Sequence, residues 1–87
     1  MTDEDDARYA EAQVCYRFPL AAHMELRAML SRSTLGTPQA ELRVFRNEAG
    51  VWYGTARGIF LRSRKDLGHL QHATTALLEA FEKAGLR

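Results

Sequence analysis

The sequence of 87 residues lacks the features that mark secreted, membrane-spanning or metal-stabilised proteins. Its single cysteine, Cys15, excludes an internal disulfide and argues against a structural zinc site. No apolar run reaches about 18 residues, the length that a transmembrane helix needs. The first residues are acidic, whereas a signal peptide begins with basic ones. We therefore expect a cytoplasmic protein without membrane contacts, associated with the nucleoid if the chain is bacterial.

Recognisable catalytic and cofactor motifs are also missing. The sequence has no Walker-type loop and no Gly-x-Gly-x-x-Gly fingerprint. His69 and His72 are three residues apart on a predicted helix, but no Asp, Glu or Cys lies at a spacing that would complete a metal site. The run DEDD at residues 3–6 is typical of a solvated charge run rather than a preformed cation cage. We expect no catalytic residue, no metal and no cofactor.

The net charge of +1 conceals a strong separation of charge along the chain. Residues 1–12 carry five acidic side chains against Arg8, whereas residues 13–65 carry eight arginines and Lys65 against three glutamates. Because so short a chain supports one core, we expect an acidic flexible tail over residues 1–12 and a single nucleic-acid-binding domain over residues 13–87. Such asymmetry is typical of proteins that bind polyanions, although a solvated surface explains it equally well.

Alternating hydrophobic residues predict several strands before residue 63. VCYRFPL alternates, but Pro19 restricts it to an edge or an end of a sheet. The segment at residues 21–33, AAHMELRAMLSRS, is ambiguous, because its alternation favours a strand and its composition favours a helix. ELRVFRN and the segments VWYGT and RGIFLR predict a hairpin that turns at Gly50. Gly54 and Gly58 indicate bulges, bends or close backbone approach, so the two later segments form either one bent strand or two short ones.

The last part of the chain predicts a long amphipathic helix. SRKD forms a capping box, with Ser63 as the N-cap and Asp66 as the third helical residue. Hydrophobic residues then recur every three or four positions, and Gly85 ends the pattern. These caps predict a helix of about 20 residues. The strand residues expected to anchor it are Leu42, Val44, Ile59 and Leu61.

Arginines and aromatic residues are concentrated in ELRVFRNEAGVWYGTARGIFLRS, at residues 41–63. Arg43 and Phe45 share one face of their strand. Either Trp52 or Tyr53 lies on that same face, since adjacent strand residues point to opposite sides. Cations and rings on one face suit single-stranded nucleic acid, which exposes both phosphates and bases. The alternative is that the rings are core or dimer contacts and the arginines are solvated.

These segments resemble the transcriptional positive cofactor four family, whose members are single-stranded-DNA-binding coactivators. ELRVF, the turn NEAG, VWYGT, RGIFL and the following helix match the family's order of elements over residues 41–84. The resemblance implies an α+β fold. Its curved antiparallel sheet of about four strands would be backed by one long C-terminal helix and would pair with a second copy into a dimer.

The resemblance also implies roles for individual residues. Phe45 falls where an aromatic residue stacks on bases, and Arg57 falls where a basic residue contacts the DNA backbone. Leu42 and Tyr53 stand where basic residues are expected, so either the neighbouring arginines compensate for them or the strand register differs. The predicted DNA-binding residues are Arg27, Arg32, Arg43, Phe45, Arg46, Trp52, Tyr53 and Arg57. The predicted dimer contacts are Leu70, Leu77, Leu78 and Phe81.

The expected function is binding of single-stranded DNA by a homodimer in transcription regulation, repair, replication or recombination. RNA, duplex ends and the transcription or repair machinery are further expected partners. One alternative is a regulator that binds double-stranded DNA with a β-ribbon. Another is a protein-interaction module that does not bind DNA and docks a partner on the apolar face of its helix.

Overall fold

The computed structural model describes residues 12–85, which form a four-stranded antiparallel sheet followed by one helix. The elements are β1 (Gln13–Ala21), β2 (Met24–Arg32), β3 (Pro38–Glu48), β4 (Val51–Leu61) and α1 (Arg64–Lys83). The strands lie in the order β1-β2-β3-β4, so each strand pairs with its neighbours in the chain. The predicted α+β class and C-terminal helix are confirmed. The predicted acidic tail lies outside the described residues, apart from Ala12.

The pairing of β1 and β2 shows where the first strand lies in the sheet and whether residues 21–33 form a strand or a helix. β1 pairs only with β2 and is an edge strand, as Pro19 predicted. The ambiguous segment at residues 21–33 contains a strand and no helix, because β2 pairs with β3 over its whole length, Met24 to Arg32. Hydrogen bonding to a strand on each side outweighs the helical propensity of its Ala, Met and Leu residues.

A two-residue turn joins β3 to β4, and it confirms the hairpin predicted at Gly50. Ala49 and Gly50 have φ angles of 53° and 82°. Two positive φ angles in succession define the type I′ turn, whose twist matches that of the flanking strands. The Gly50 amide also donates a hydrogen bond of 3.1 Å to the Asn47 side-chain oxygen. Ala49 is thus held in a conformation that an alanine rarely adopts.

The irregularity predicted within β4 is a bulge. Arg43 pairs with Gly58 and Phe45 pairs with Gly54, so residues 55–57 of β4 lie opposite Val44 alone. The Thr55 hydroxyl closes this bulge by donating to the Val44 carbonyl at 2.7 Å and accepting from the Arg57 amide at 3.2 Å. Because it interrupts the ladder on an edge strand, the bulge also limits pairing with further strands.

Both predicted caps define the helix. The Ser63 hydroxyl accepts a hydrogen bond of 3.1 Å from the Asp66 amide. At the other end, Gly85 has a φ of 74° and its amide donates to the Glu82 carbonyl at 3.1 Å. Within residues 12–85, no helix combines the length and hydrophobicity needed to cross a membrane.

The register gives the sheet two chemically different faces. Glu25, Arg27 and Met29 of β2 lie directly opposite residues 45, 43 and 41 of β3, and their side chains share one face. We call it the arginine face; it contains Arg17, Glu25, Arg27, Met29, Glu41, Arg43, Phe45, Trp52 and Phe60. The other side is the aliphatic face, which contains Leu26, Ala28, Leu42, Val44, Ile59 and Leu61.

The arginine face is the more buried of the two, and the helix does not cover the aliphatic face. The buried hydrophobic residues, Met29 and Phe45, both lie on the arginine face. No residue of α1 is buried, and α1 makes no extensive contact with any strand. The expected packing of α1 on the aliphatic face of its own chain is therefore wrong. Only Arg62 and Ser63 separate β4 from α1, and this short connection carries the helix beyond the sheet.

The positive φ at residue 49 generates a stability prediction. Replacing Ala49 with Asn creates the Asn-Gly pair that type I′ turns prefer, because Asn tolerates this conformation better than Ala. We expect Ala49→Asn to raise the free energy of unfolding by about 0.5–1 kcal/mol, measured by urea denaturation. Ala22, in the turn between β1 and β2, does not have a positive φ, so Ala22→Asn is the matched control. An equal gain from both variants would contradict this explanation.

Candidate nucleic-acid interface

Three arginines lie side by side across the arginine face. Cross-strand pairing aligns Arg17 of β1 with Arg27 of β2, and Arg27 with Arg43 of β3. Gly58 of β4 completes the row. Adjacent strands are only about 4.8 Å apart, and like charges directly opposite one another destabilise a sheet. The row therefore requires nearby compensation.

Two glutamates supply that compensation. The Arg27 Nε donates to Glu25 Oε2 at 2.5 Å, and the Arg43 Nε donates to Glu41 Oε2. Arg17 Nη1 lies 3.8 Å from the same oxygen of Glu25 that Arg27 binds. Three guanidinium groups thus face two carboxylates, so this part of the arginine face keeps an excess of positive charge.

Aromatic rings support the same arginines. The guanidinium carbon of Arg27 lies 4.1 Å from the centroid of the Phe45 ring and 5.6 Å from that of Trp52. The guanidinium carbon of Arg43 lies 5.3 Å from the centroid of Phe60. These distances are within the range of cation–π attraction, which favours guanidinium groups placed over rings. Arg27 and Arg43 are therefore held by ion pairs along their strands and by aromatic rings close to their guanidinium groups.

The structure decides which of the two adjacent aromatic residues shares this face. Trp52 pairs with Asn47, two residues from Phe45 along β3, and its ring meets Arg27. Tyr53 instead pairs with Arg46 and lies on the aliphatic face. The open choice between the two rings is thus resolved in favour of Trp52 as the neighbour of Phe45.

Gly58 leaves room for the Arg43 side chain beside β4. A Cβ atom added at Gly58 would be 2.5 Å from the Leu42 carbonyl oxygen and 3.0 Å from the guanidinium carbon of Arg43. Arg43 Nη1 reaches past this position and donates to the Thr55 carbonyl at 2.9 Å. The glycine of RGIFL therefore has a packing role, since a side chain there would collide with both the backbone and Arg43.

Burial corrects one expectation about the predicted site. Phe45 is only 2% exposed and Arg43 is also buried, so neither lies on an exposed face as expected. The reason is local, because the guanidinium group of Arg27 lies over the Phe45 ring. A base could reach that ring only if Arg27 moved. Trp52 and Phe60 are half-buried and keep part of their surface accessible.

The remaining predicted residues lie elsewhere. Arg46 shares the aliphatic face with Tyr53 and lies 3.3 Å from a carboxylate oxygen of Glu48. Arg32, at the end of β2, donates to the Gly36 carbonyl at 2.8 Å. Arg57 is exposed in the β4 bulge. The predicted set therefore does not form one surface: Arg27, Arg43, Phe45 and Trp52 come together, and Arg32, Arg46, Tyr53 and Arg57 do not join them.

Sequence reasoning missed the carboxylates that organise this face. Glu25 and Glu41 were not predicted as site residues, and the role of Arg17 was not assigned. A signal was present, because the tripeptide Glu-Leu-Arg occurs at residues 25–27 and again at residues 41–43. Residues two apart on a strand share a face, so each copy places an acid beside its own arginine.

Comparison with known proteins adds nothing further. The chain matches no family model, no curated protein and no solved structure. The resemblance to the positive cofactor four family therefore stays a prediction, and function has to be argued from the arginine face itself. Among residues 12–85, no three His, Cys, Asp or Glu side chains gather into a group that could hold a metal ion.

The close contact at Gly58 generates the second prediction. Gly58→Ala places a methyl group against the backbone of β3 and against Arg43, so we expect the free energy of unfolding to fall by about 1–3 kcal/mol. Gly68, in α1, has no atom within 4 Å of an added Cβ, and Gly68→Ala should instead stabilise the chain by about 0.5–1 kcal/mol. Urea denaturation of both variants checks the two signs. Stability of Gly58→Ala equal to that of the original chain would contradict the packing role.

Proposed function

We propose that this chain binds single-stranded DNA, catalyses no reaction, and acts as a homodimer. The observation that carries the proposal is that Arg17 and Arg27 lie side by side, with Trp52 close to Arg27, on one face of the sheet. Charge alone, or a ring alone, would have ordinary structural explanations. The combination matches the two features that single-stranded nucleic acid exposes, its phosphates and the flat faces of its bases.

The surface chemistry favours a single strand over a duplex. In a duplex, the base faces are stacked on each other and only their edges are accessible in the grooves. The arginine face offers planar groups, the Trp52 ring and the guanidinium of Arg27, which suit stacking. Stacking is sequence-tolerant because every base has such a face. The proposed ligand is therefore unpaired DNA without strong sequence preference.

Exposed cations lie at both edges of the sheet. Arg17, on β1, has 62% of its side chain exposed, and Arg57, which is not part of the arginine face, is exposed in the bulge of β4. Phosphate contacts from such groups release counterions, so affinity should fall as salt rises. Residues 13–65 carry nine cationic and three acidic side chains, and this excess of positive charge also favours binding of a polyanion.

The open apolar surfaces support the homodimer. Leu67, Leu77, Leu78 and Phe81 of α1 are all exposed, and Ile59 of the aliphatic face is about half exposed. A 20-residue helix is about 30 Å long, so this stripe is large for a surface left in water. The aliphatic face of a second copy is chemically suited to cover it. The arginine face would then remain accessible on the outside of each protomer.

The stacking role of Trp52 gives the third prediction. We expect Trp52→Leu to weaken binding of a fluorescein-labelled oligo(dT) by about 5- to 150-fold, because it removes stacking worth about 1–3 kcal/mol per base. Fluorescence anisotropy at low and at raised salt measures the affinity. Tyr53→Leu is the matched control, since the adjacent ring lies on the aliphatic face, and it should change affinity little.

The same titration separates the proposal from its alternatives. Unlabelled duplex of equal length should compete poorly, whereas preferential competition by duplex would favour the double-stranded-DNA regulator. An absence of salt-sensitive binding would favour the protein-interaction module. Phe45→Ala is not used as a test of stacking, because deleting a buried phenylalanine destabilises a protein by about 3–5 kcal/mol.

The fourth prediction concerns the homodimer. Leu77→Glu places a charge in the apolar stripe of α1 and should shift the chain from dimer to monomer in sedimentation-velocity experiments, because burying an unpaired carboxylate is costly. Ala76→Glu adds the same charge about 100° around the helix from Leu77, outside the exposed apolar stripe, and should leave the dimer intact. Dissociation by both variants, or by neither, would count against an interface built on this stripe.

A further inference from the structure

The repeated Glu-Leu-Arg tripeptide forms a local two-fold arrangement at the centre of the sheet. Arg27 and Arg43 lie directly opposite one another on antiparallel strands, and each arginine donates to the glutamate two residues before it. Glu25 lies opposite Phe45, and Glu41 lies opposite Met29. The two copies therefore have equivalent internal bonds but different neighbours.

The copy on β3 is sealed. Side-chain exposure is 1% for Glu41 and 8% for Arg43. Arg43 is also bound to the Thr55 carbonyl, and the Ser31 hydroxyl lies 3.4 Å from Glu41. Because this pair is almost completely buried and its groups bind one another, its role is structural.

The copy on β2 is less completely buried, with 12% of the Glu25 side chain exposed. The side chain of Arg27 is 15% exposed, and its partner Glu25 also contacts the largely exposed Arg17 of the edge strand. A single carboxylate oxygen thus lies between two guanidinium groups, at 2.5 Å from one and 3.8 Å from the other. The longer distance is an ion pair rather than a hydrogen bond, so Arg17 is weakly held.

Arg27 is held by two kinds of contact. Its guanidinium carbon lies over the rings of Phe45 and Trp52, at 4.1 and 5.6 Å from their centroids. Glu25 binds the edge through Nε. Carboxylate and phosphate use the same edge geometry, because both offer two oxygens that match the guanidinium fork. A phosphate therefore offers Arg27 the same kind of acceptor as Glu25 does.

We propose that Arg17 and Arg27 form a phosphate-binding site, and that Glu25 is the internal carboxylate which the phosphate displaces. The inference rests on the proposed function and deepens it, since the phosphate is that of a single-stranded DNA backbone crossing β1 and β2. Glu25 lowers the affinity for any one phosphate. It thereby favours polyanions that make several contacts at once over small phosphate-containing molecules, which make one.

The decisive variant is Glu25→Gln, which keeps the shape of the side chain and removes its charge. We expect it to bind oligo(dT) about tenfold more tightly at low salt, because the charged competitor for Arg27 is gone. The slope of log affinity against log salt should steepen by about 0.7, as expected for one further phosphate contact to a single strand. Emission from Trp52, the chain's single tryptophan, offers a second readout beside the site.

Two further variants control for charge and for position. Glu79→Gln changes the net charge equally but lies on the exposed side of α1, where screening should keep the change in affinity below about twofold. Glu41→Gln alters the sealed copy and should lower the urea midpoint without tightening binding. Should Glu25→Gln fold poorly, Arg17→Gln replaces it as the test, because Arg17 is exposed and can be changed without loss of the fold. Removing the Arg17 guanidinium group should weaken oligo(dT) binding several-fold.

Inorganic tripolyphosphate distinguishes failure of this inference from failure of the proposed function. If the original chain binds oligo(dT) and Glu25→Gln binds no more tightly than Glu79→Gln, the displacement site is overturned and the function stands. If oligo(dT) does not bind but tripolyphosphate stabilises Glu25→Gln against heat more than the original chain, the phosphate site stands and the single-strand function fails. If Glu25→Gln changes neither the affinity for oligo(dT) nor the thermal stabilisation by tripolyphosphate, the site is overturned.

Discussion

The structure depends on two neighbouring arginines of a single sheet, Arg27 and Arg43, each of which is paired with a glutamate and lies close to an aromatic ring. Arg27 and Arg43 are direct cross-strand neighbours, an arrangement that would destabilise β2 and β3 without Glu25 and Glu41. The ion pairs offset the repulsion, and the rings of Phe45, Trp52 and Phe60 lie within cation–π distance of the guanidinium groups. Breaking one buried pair leaves an uncompensated charge, which costs more than the intact pair contributes. The ion pairs lie within single strands, whereas the contacts of Arg27 with Phe45 and of Arg43 with Phe60 join neighbouring strands and stabilise their pairing.

The apolar surfaces of the chain are not covered by its own elements. The aliphatic face and the stripe along α1 both stay open in one chain, because the short connection after β4 carries the helix off the sheet. An 87-residue chain buries a modest share of its surface even when every element packs. A second copy that covers these surfaces would supply the missing core and leave the arginine face to the ligand. Dimerisation and DNA binding are therefore linked in the proposed function.

Local signals predicted much of the fold. The turn at Gly50, the edge position of the Pro19 strand and the helix between Ser63 and Gly85 each follow from a few adjacent residues, and each is confirmed. The segment at residues 21–33 could not be assigned, because its alternation and its composition disagree and only pairing with β1 and β3 decides between them. The candidate site was predicted in part: alternation placed Arg43 with Phe45, but it could not distinguish Trp52 from Tyr53.

The sequence alone determined the alternation of charged and aliphatic residues, the turn, the caps and the concentration of arginine with aromatic residues. These properties are encoded within a few positions of one another, so they can be read without knowing what the chain packs against. Only the tertiary structure decided that Phe45 and Arg43 are buried, that Trp52 lies over Arg27, and that α1 leaves the sheet. Each of these depends on register between strands or on the direction of a connection. Side chains brought together by such pairing bury one another, and no residue's own chemistry reveals its cross-strand neighbour.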